Sequence, residues 1–207
     1  MIPLEAWEDL KRKFYERMIR DRYIGYLDPG IEEILIKIFR LREAFPTSSC
    51  SGRITAIDSI YPWIRKDSYV FFKKHGEITL EEMRSIIKTP AVNSIWVVVS
   101  GPIIHVNTYT LSEAVRILRT ARDAGFKHSG ILSRSKRGYI VEILSGIRLD
   151  TLVKTRDKIL LREEDIPLIV ETINKAYRMG RERIKRLEKA LDKLLEDENR
   201  EEAFNSS

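Results

Sequence analysis

Apolar residues recur along this chain with two different periods, and the switches between them mark out its elements. Leu4, Trp7, Phe14 and Met18 fall at near-helical spacing in a basic segment, which predicts an amphipathic opening helix. Asp28-Pro29-Gly30 breaks it. Ile31, Ile34, Leu35, Ile38 and Phe45 predict a second helix, which Pro46 stops. The stretch from Thr47 to Arg53, TSSCSGR, then reads as a loop, because it holds no large apolar side chain and no strong helix former. Arg53 to Ile60 follows as a strand with Ile54, Ala56 and Ile60 on one face, and Tyr69 to Lys74 as another.

Thr79 and Glu82 form a capping-box signature, opening a helix that carries Met83, Ile86 and Ile87 and ends near Pro90. A nearly continuous apolar run, SIWVVVSGPIIHVNTY, is broken by Ser100-Gly101-Pro102 and reads as two buried strands or one with a sharp break. Thr110 and Glu113 repeat the capping signature. The helix after them has a stripe of Leu111, Ala114, Val115, Leu118 and Ala121, and Gly125 sits where a left-handed cap belongs. SGILSRSKRGYIVEIL predicts a hairpin turning at Lys136-Arg137-Gly138, and Leu149 to Leu161 adds one or two strands.

From about Asp165 the apolar positions Ile166, Val170, Ile173, Tyr177, Ile184, Leu187, Leu191 and Leu194 alternate by four and three, with Gly180 in the series. Such a stripe either packs on the chain's own domain or forms a dimer seam. Gly180 is a poor zipper position and favours the first, hence a monomer over a homodimer. The polar tail after Glu196 is expected to fray. Together these elements predict one α+β domain over residues 1–207. A mixed sheet lies between flanking helices, with a long C-terminal helix from about 165 to 196.

The charge changes the picture slightly. There are 37 Lys+Arg against 31 Asp+Glu in 207 residues, a net charge of +6, which suits a polyanionic partner without requiring one. Cys50 is the single cysteine, so no internal disulfide is possible, which fits a reducing cytoplasm. His75, His105 and His128 are scattered, and no zinc-ligand spacing exists, so no metal is expected. No window is long and apolar enough for a signal core or a membrane span.

Several chemistries are excluded. Cys50 and Arg53 are too close for a phosphatase C-x5-R loop, no second cysteine makes a redox pair, and neither a P-loop nor any G-x-G dinucleotide fingerprint is present. What TSSCSGR offers is hydroxyls that donate and accept, a glycine that lets backbone N–H groups turn toward an anion, and in Arg53 a permanently charged fork for carboxylate or phosphate. A plain turn between helix and strand is the simpler reading of the same residues. His105 sits on an apolar strand and shares a face with Ile103 and Asn107, where a lone histidine is usually a satisfied core residue.

The order of the pieces is more specific than any one of them. TSSCSGRI after two helices, His105-Val106 in a strand, Gly125-Phe126 and Ser129-Gly130-Ile131 after a helix, then Lys136-Arg137-Gly138 and a strand resemble the wybutosine-synthesis methyltransferase family, the third protein of that pathway. The resemblance spans roughly Phe45 to Val153. It implies a fold other than the Rossmann methyltransferase fold, in line with the missing G-x-G. It also implies methylation, by S-adenosylmethionine, of ring nitrogen N4 of a tricyclic wyosine-type base beside the anticodon of tRNA-Phe.

By the same resemblance Ser48, Ser49, Ser51, Gly52 and Arg53 line the cofactor or target-base pocket, with Arg53 on a carboxylate and Ser49 counted as catalytic. His105 orients the base or takes a proton. Ser129 and Gly130 match the family's SG turn and count among the cofactor- or substrate-binding residues, and Lys136 and Arg137 meet tRNA phosphates. Two departures stand out: Leu144 where relatives often carry arginine, and Val98-Val99-Ser100-Gly101 as the lead-in to the histidine strand. Cys50 reads as a small buried residue, not a nucleophile. A target base must leave its stack, and Tyr61 or Trp63 is a candidate to stack on it. The rival readings are a non-catalytic RNA-binding module and a hydrolase of a phosphorylated small molecule.

Overall fold

The computed structural model describes residues 1–205. In chain order its elements are α1 (Leu4–Tyr23), α2 (Glu32–Arg40), β1 (Ala44–Cys50), β2 (Arg53–Ser59), β3 (Tyr69–Lys74), α3 (Leu80–Lys88), β4 (Ser94–Ser100), β5 (Ile103–Thr108), α4 (Leu111–Asp123), β6 (Gly130–Ser135), β7 (Gly138–Leu144), β8 (Arg148–Thr155) and α5 (Ile166–Asn205). They fall into two compact units. The first is Met1–Ser51, Pro102–Gly146 and Glu182–Ser207; the second is Gly52–Gly101 and Ile147–Arg181. The α+β class and the long C-terminal helix stand. In place of one mixed sheet there are two four-stranded sheets, β1-β5-β7-β6 and β3-β2-β4-β8, paired antiparallel throughout.

In the first unit Ile104, Val106, Val141 and Ile143 are buried in one cluster with Ala114, Ile117 and Ala121 of α4 and Ile34, Leu35 and Ile38 of α2. Helix α1 brings Trp7 onto Phe45, with ring centroids 5.1 Å apart, and the indole N–H donates to Asn107 Oδ1 at 2.7 Å. Phe45 therefore belongs to β1, paired with Asn107, and not to the second helix. The TSSC stretch expected as a loop is the rest of β1. Small hydroxyl residues have little intrinsic strand preference, and pairing with β5 decides the matter. Pro46, which lacks an N–H, is tolerated because β1 is an edge strand with a register shift between Pro46 and Ser48.

In the second unit Ile54, Ala56, Ile95, Val97 and Val99 pack with Met83, Ile86 and Ile87 of α3 and with Ile166, Val170 and Ile173 of α5. The buried amide of Asn174 grips Ile78 both ways, donating to its carbonyl and accepting from its N–H, each at 2.9 Å. The apolar run predicted as one or two strands is two, β4 and β5, and they belong to different sheets.

The Thr79 capping box closes fully: Glu82 N–H donates to Thr79 Oγ1 at 3.2 Å and Thr79 N–H to Glu82 Oε2 at 2.8 Å. The second one closes only by half. Thr110 accepts from Glu113 N–H at 3.2 Å, but the Glu113 carboxylate takes Arg116 at 2.8 Å instead. Gly125, with φ +97°, follows α4 as its cap requires. The α5 stripe is buried in the chain's own two clusters, and the helix runs past Glu196 to Asn205. The last two residues of the predicted fraying tail lie outside the described residues.

Candidate active site

The register of the first sheet assembles a polar row out of four strands. Ser48 on β1 stands opposite His105 on β5, His105 opposite Glu142 on β7, and Glu142 opposite Gly130 on β6. Residues directly opposite each other share a face of the sheet. Ile104, Val106, Val141 and Ile143 point the other way, into the core. On the His105 face the Phe45–Asn107 pair lies under Trp7 of α1, and the Ser48–His105–Glu142–Gly130 row is the next one along.

The row's side chains are hydrogen-bonded from Ser48 to Glu142. Ser48 Oγ lies 2.8 Å from His105 Nδ1, and His105 Nε2 lies 3.1 Å from Glu142 Oε2. An ionised carboxylate can only accept, so Nε2 carries the proton of the neutral ring and Nδ1 presents its lone pair to the Ser48 hydroxyl. His105 and Glu142 are partly covered, with side-chain exposures of 29% and 20%, while Ser48 is exposed. At Gly130 a Cβ would meet nothing within 4 Å, so the end of the row is open. The arrangement can take a proton at the exposed Ser48 oxygen while Ser48 passes its own to Nδ1. The resulting imidazolium is held by Glu142.

The other expected residues fall as follows. Ser49 pairs with Ile104, so alternation turns it to the opposite face from Ser48, and it is Ser48 whose hydroxyl reaches His105. Ser51 is buried: its N–H donates to Asp28 Oδ2 at 2.9 Å, but its hydroxyl has no hydrogen-bond partner among the described residues. Ser129 is buried and engaged twice, donating to Phe126 carbonyl at 2.7 Å and accepting from Leu144 N–H at 3.1 Å. Its hydroxyl thus ties the end of the α4 segment to β7, which sets the register that places Glu142. Lys136 and Arg137 form the exposed β6–β7 turn, where Gly138 has φ +109°.

In the second unit Arg53 opens β2 and is exposed, opposite Ser100, which in turn faces Arg148. Arg148 is neutralised by Asp150 at 2.9 Å, whereas the Arg53 guanidinium has no partner among the described residues. Gly52 has φ +91°, a conformation costly for any other residue, and its carbonyl accepts from His75 Nδ1 at 2.9 Å. An unpaired guanidinium at the surface suits an anionic ligand such as a carboxylate.

The family model described as Methyltransferase TYW3 matches residues 6–193. The chain belongs to this methyltransferase family. A relative from Saccharolobus solfataricus, named tRNA(Phe) 7-((3-amino-3-carboxypropyl)-4-demethylwyosine(37)-N(4))-methyltransferase, is 37% identical over 187 residues, 90% of each chain. A second of the same name, numbered 1, from Pyrococcus furiosus is 38% identical over 82% of this chain and 87% of its own. The solved structure of the PH1069 protein from Pyrococcus horikoshii superposes with a TM-score of 0.83 at 34% identity, over 90% of this chain and 96% of that one. The family match extends well beyond the Phe45–Val153 core of the motifs, into both terminal helices. A member of this family transfers a methyl group, which requires a methyl donor.

One residue of the row, Glu142, has no place in the sequence reading. Its only signal is a lone charge in the apolar run of β7, and nothing local says that it stands opposite His105.

Proposed function

We propose that the protein is an S-adenosylmethionine-dependent tRNA methyltransferase that methylates N4 of a 4-demethylwyosine-type base beside the anticodon of tRNA-Phe. The observation that carries this reading is the Ser48–His105–Glu142 chain, a ready proton acceptor in a protein of a methyltransferase family whose relatives bear that activity in their names. S-adenosylmethionine supplies, when bound, a methyl carbon on a cationic sulfonium. Arg53 holds its carboxylate, which fits an exposed guanidinium with no partner among the described residues. Methylation leaves the ring nitrogen with a proton to lose. The Ser48 oxygen accepts it, Ser48 gives its own proton to His105 Nδ1, and Glu142 stabilises the ring that becomes charged.

Placement supplies the rest of the rate. Aligning nitrogen, methyl carbon and sulfur needs no covalent intermediate, so Cys50 has no nucleophilic part. Glu142 is a positioning residue: it fixes the ring and its tautomer without touching the base. The relay role goes to Ser48 in preference to Ser49. Lys136 and Arg137, exposed at a tight turn, meet tRNA phosphates. The α5 stripe, buried in the chain's own cores, supports a monomer, and a tRNA substrate fits the cytoplasm; no described helix is long and apolar enough to cross a membrane.

The experiment is transfer of labelled methyl from S-adenosylmethionine to tRNA-Phe carrying the unmethylated tricyclic base. Label on that base is the expected result. Tight tRNA binding with no label transferred overturns the reading in favour of a non-catalytic RNA-binding module.

A further inference from the structure

The second unit carries an exposed aromatic pair that the row in the first unit does not explain. Between β2 and β3 the Tyr61 and Trp63 rings stack on each other, centroids 5.1 Å apart and planes within 5° of parallel. Both are largely in water, with Tyr61 48% and Trp63 68% exposed. Large aromatics left bare in a soluble protein cost free energy that a partner recovers, so a cluster of them marks a contact surface.

The loop is built to present them. Ser59, fully buried, donates its hydroxyl to the carbonyls of Tyr61 at 2.8 Å and Ile64 at 3.3 Å, and Ile64 N–H closes onto Tyr61 carbonyl at 3.1 Å. The Ser59 carbonyl is itself held by the Trp96 indole N–H at 3.2 Å. Pro62 restricts the backbone between the two rings. Two aromatics on a pinned turn lose little conformational freedom when they bind something.

The charge around them selects the partner. Arg65, Lys66 and Lys73 are exposed and have no ion-pair partner among the described residues, against the single carboxylate of Asp67 in the same loop. Flat π-faces beside unneutralised cations are what an unstacked base and its phosphate require. An apolar protein partner would have no use for the cations.

We propose that Tyr61 and Trp63 form a stacking platform for an unpaired nucleotide of the RNA substrate, with Arg65 and Lys66 on the adjoining phosphates. The platform supplies binding, not chemistry. This inference rests on the tRNA reading above for its choice of RNA, but its test does not need methyl transfer.

The test is equilibrium binding of a tRNA-Phe transcript to the full chain with no methyl donor present, for wild type, Trp63→Ala, Tyr61→Ala and Trp63→Phe. The wild type is expected to bind, and Trp63→Ala to weaken binding by about 5- to 150-fold, the equivalent of ~1–3 kcal/mol for a stacked base. Trp63→Phe keeps a π-face and recovers most of the affinity. In the methylation assay the loss appears in KM for tRNA. Unchanged affinity in Trp63→Ala overturns the platform, as does a wild type that binds no RNA. It is also overturned if Trp63→Ala abolishes self-association while leaving RNA affinity intact. If RNA binds with the expected aromatic dependence but no methyl is transferred, the platform stands and the enzymatic reading fails.

Discussion

Two half-buried histidines in this protein face opposite ways in chemical terms. His75, in the second unit, points Nδ1 at the Gly52 carbonyl, which can only accept, so its proton sits on Nδ1. His105, in the first unit, points Nε2 at the Glu142 carboxylate, so its proton sits there and Nδ1 is left to accept from Ser48. One proton is committed to holding a backbone turn. The other ring keeps a lone pair directed at an exposed hydroxyl. The residue type is the same, and the partner decides which ring nitrogen keeps the lone pair: Nε2 in His75, and in His105 the Nδ1 that faces Ser48.

This contrast is broken most sharply by truncating each ring. His105→Ala is expected to lower turnover by about 10²- to 10⁴-fold, the range of general base catalysis, with donor affinity within about twofold of wild type. Single-turnover methylation and donor titration separate the two, and equal loss of both would make His105 a binding residue. Arg53→Ala comes next. It is expected to weaken the methyl donor by about 10- to 100-fold, as befits a charge-assisted hydrogen bond, while Arg53→Lys recovers only part because the fork is lost. A donor titration reading equal affinities would take Arg53 out of the site.

His75→Ala should cost stability instead, about 1 kcal/mol for the hydrogen bond to the Gly52 carbonyl, seen in urea unfolding of the full chain. A large loss of turnover with unchanged stability would overturn the division of labour between the two rings. The smallest effect concerns Glu113. Burial pushes its carboxyl above the ordinary 4.5, against the opposing pull of Arg116, and its Oε1 has no hydrogen-bond partner among the described residues. A raised carboxyl pKa in the fold means stability that is full below the ordinary value and lost as pH rises through the raised one. Glu113→Gln is therefore expected to flatten that decline in unfolding curves taken from acid to neutral pH.

Much of the fold was legible because its rules are local. The α1 stripe, the Thr79 capping box, the β6–β7 turn at Lys136-Arg137 and the α5 heptads are each set by residues within a turn or two of one another. What was not legible depends on register and partner choice. TSSC has no strand signature, and only pairing with β5 makes it one. Nothing in SIWVVVSGPIIHV says that its halves join different sheets, although Gly101-Pro102 marks where they part. The Thr110 box misled because Arg116, one helical turn past Glu113, competes for the carboxylate. At the site His105 was named by resemblance. The choice of Ser48 over Ser49, and the presence of Glu142, follow from which residues stand opposite one another across the sheet.

The central claim is the tautomer of His105, and nitrogen NMR of the ¹⁵N-histidine-labelled protein reads it directly. With three histidines in the chain, His105→Gln and His75→Gln suffice to assign the spectra. The account predicts His105 protonated at Nε2 and His75 at Nδ1 in the neutral rings. A proton on Nδ1 of His105 would leave no acceptor facing Ser48 and would contradict the relay.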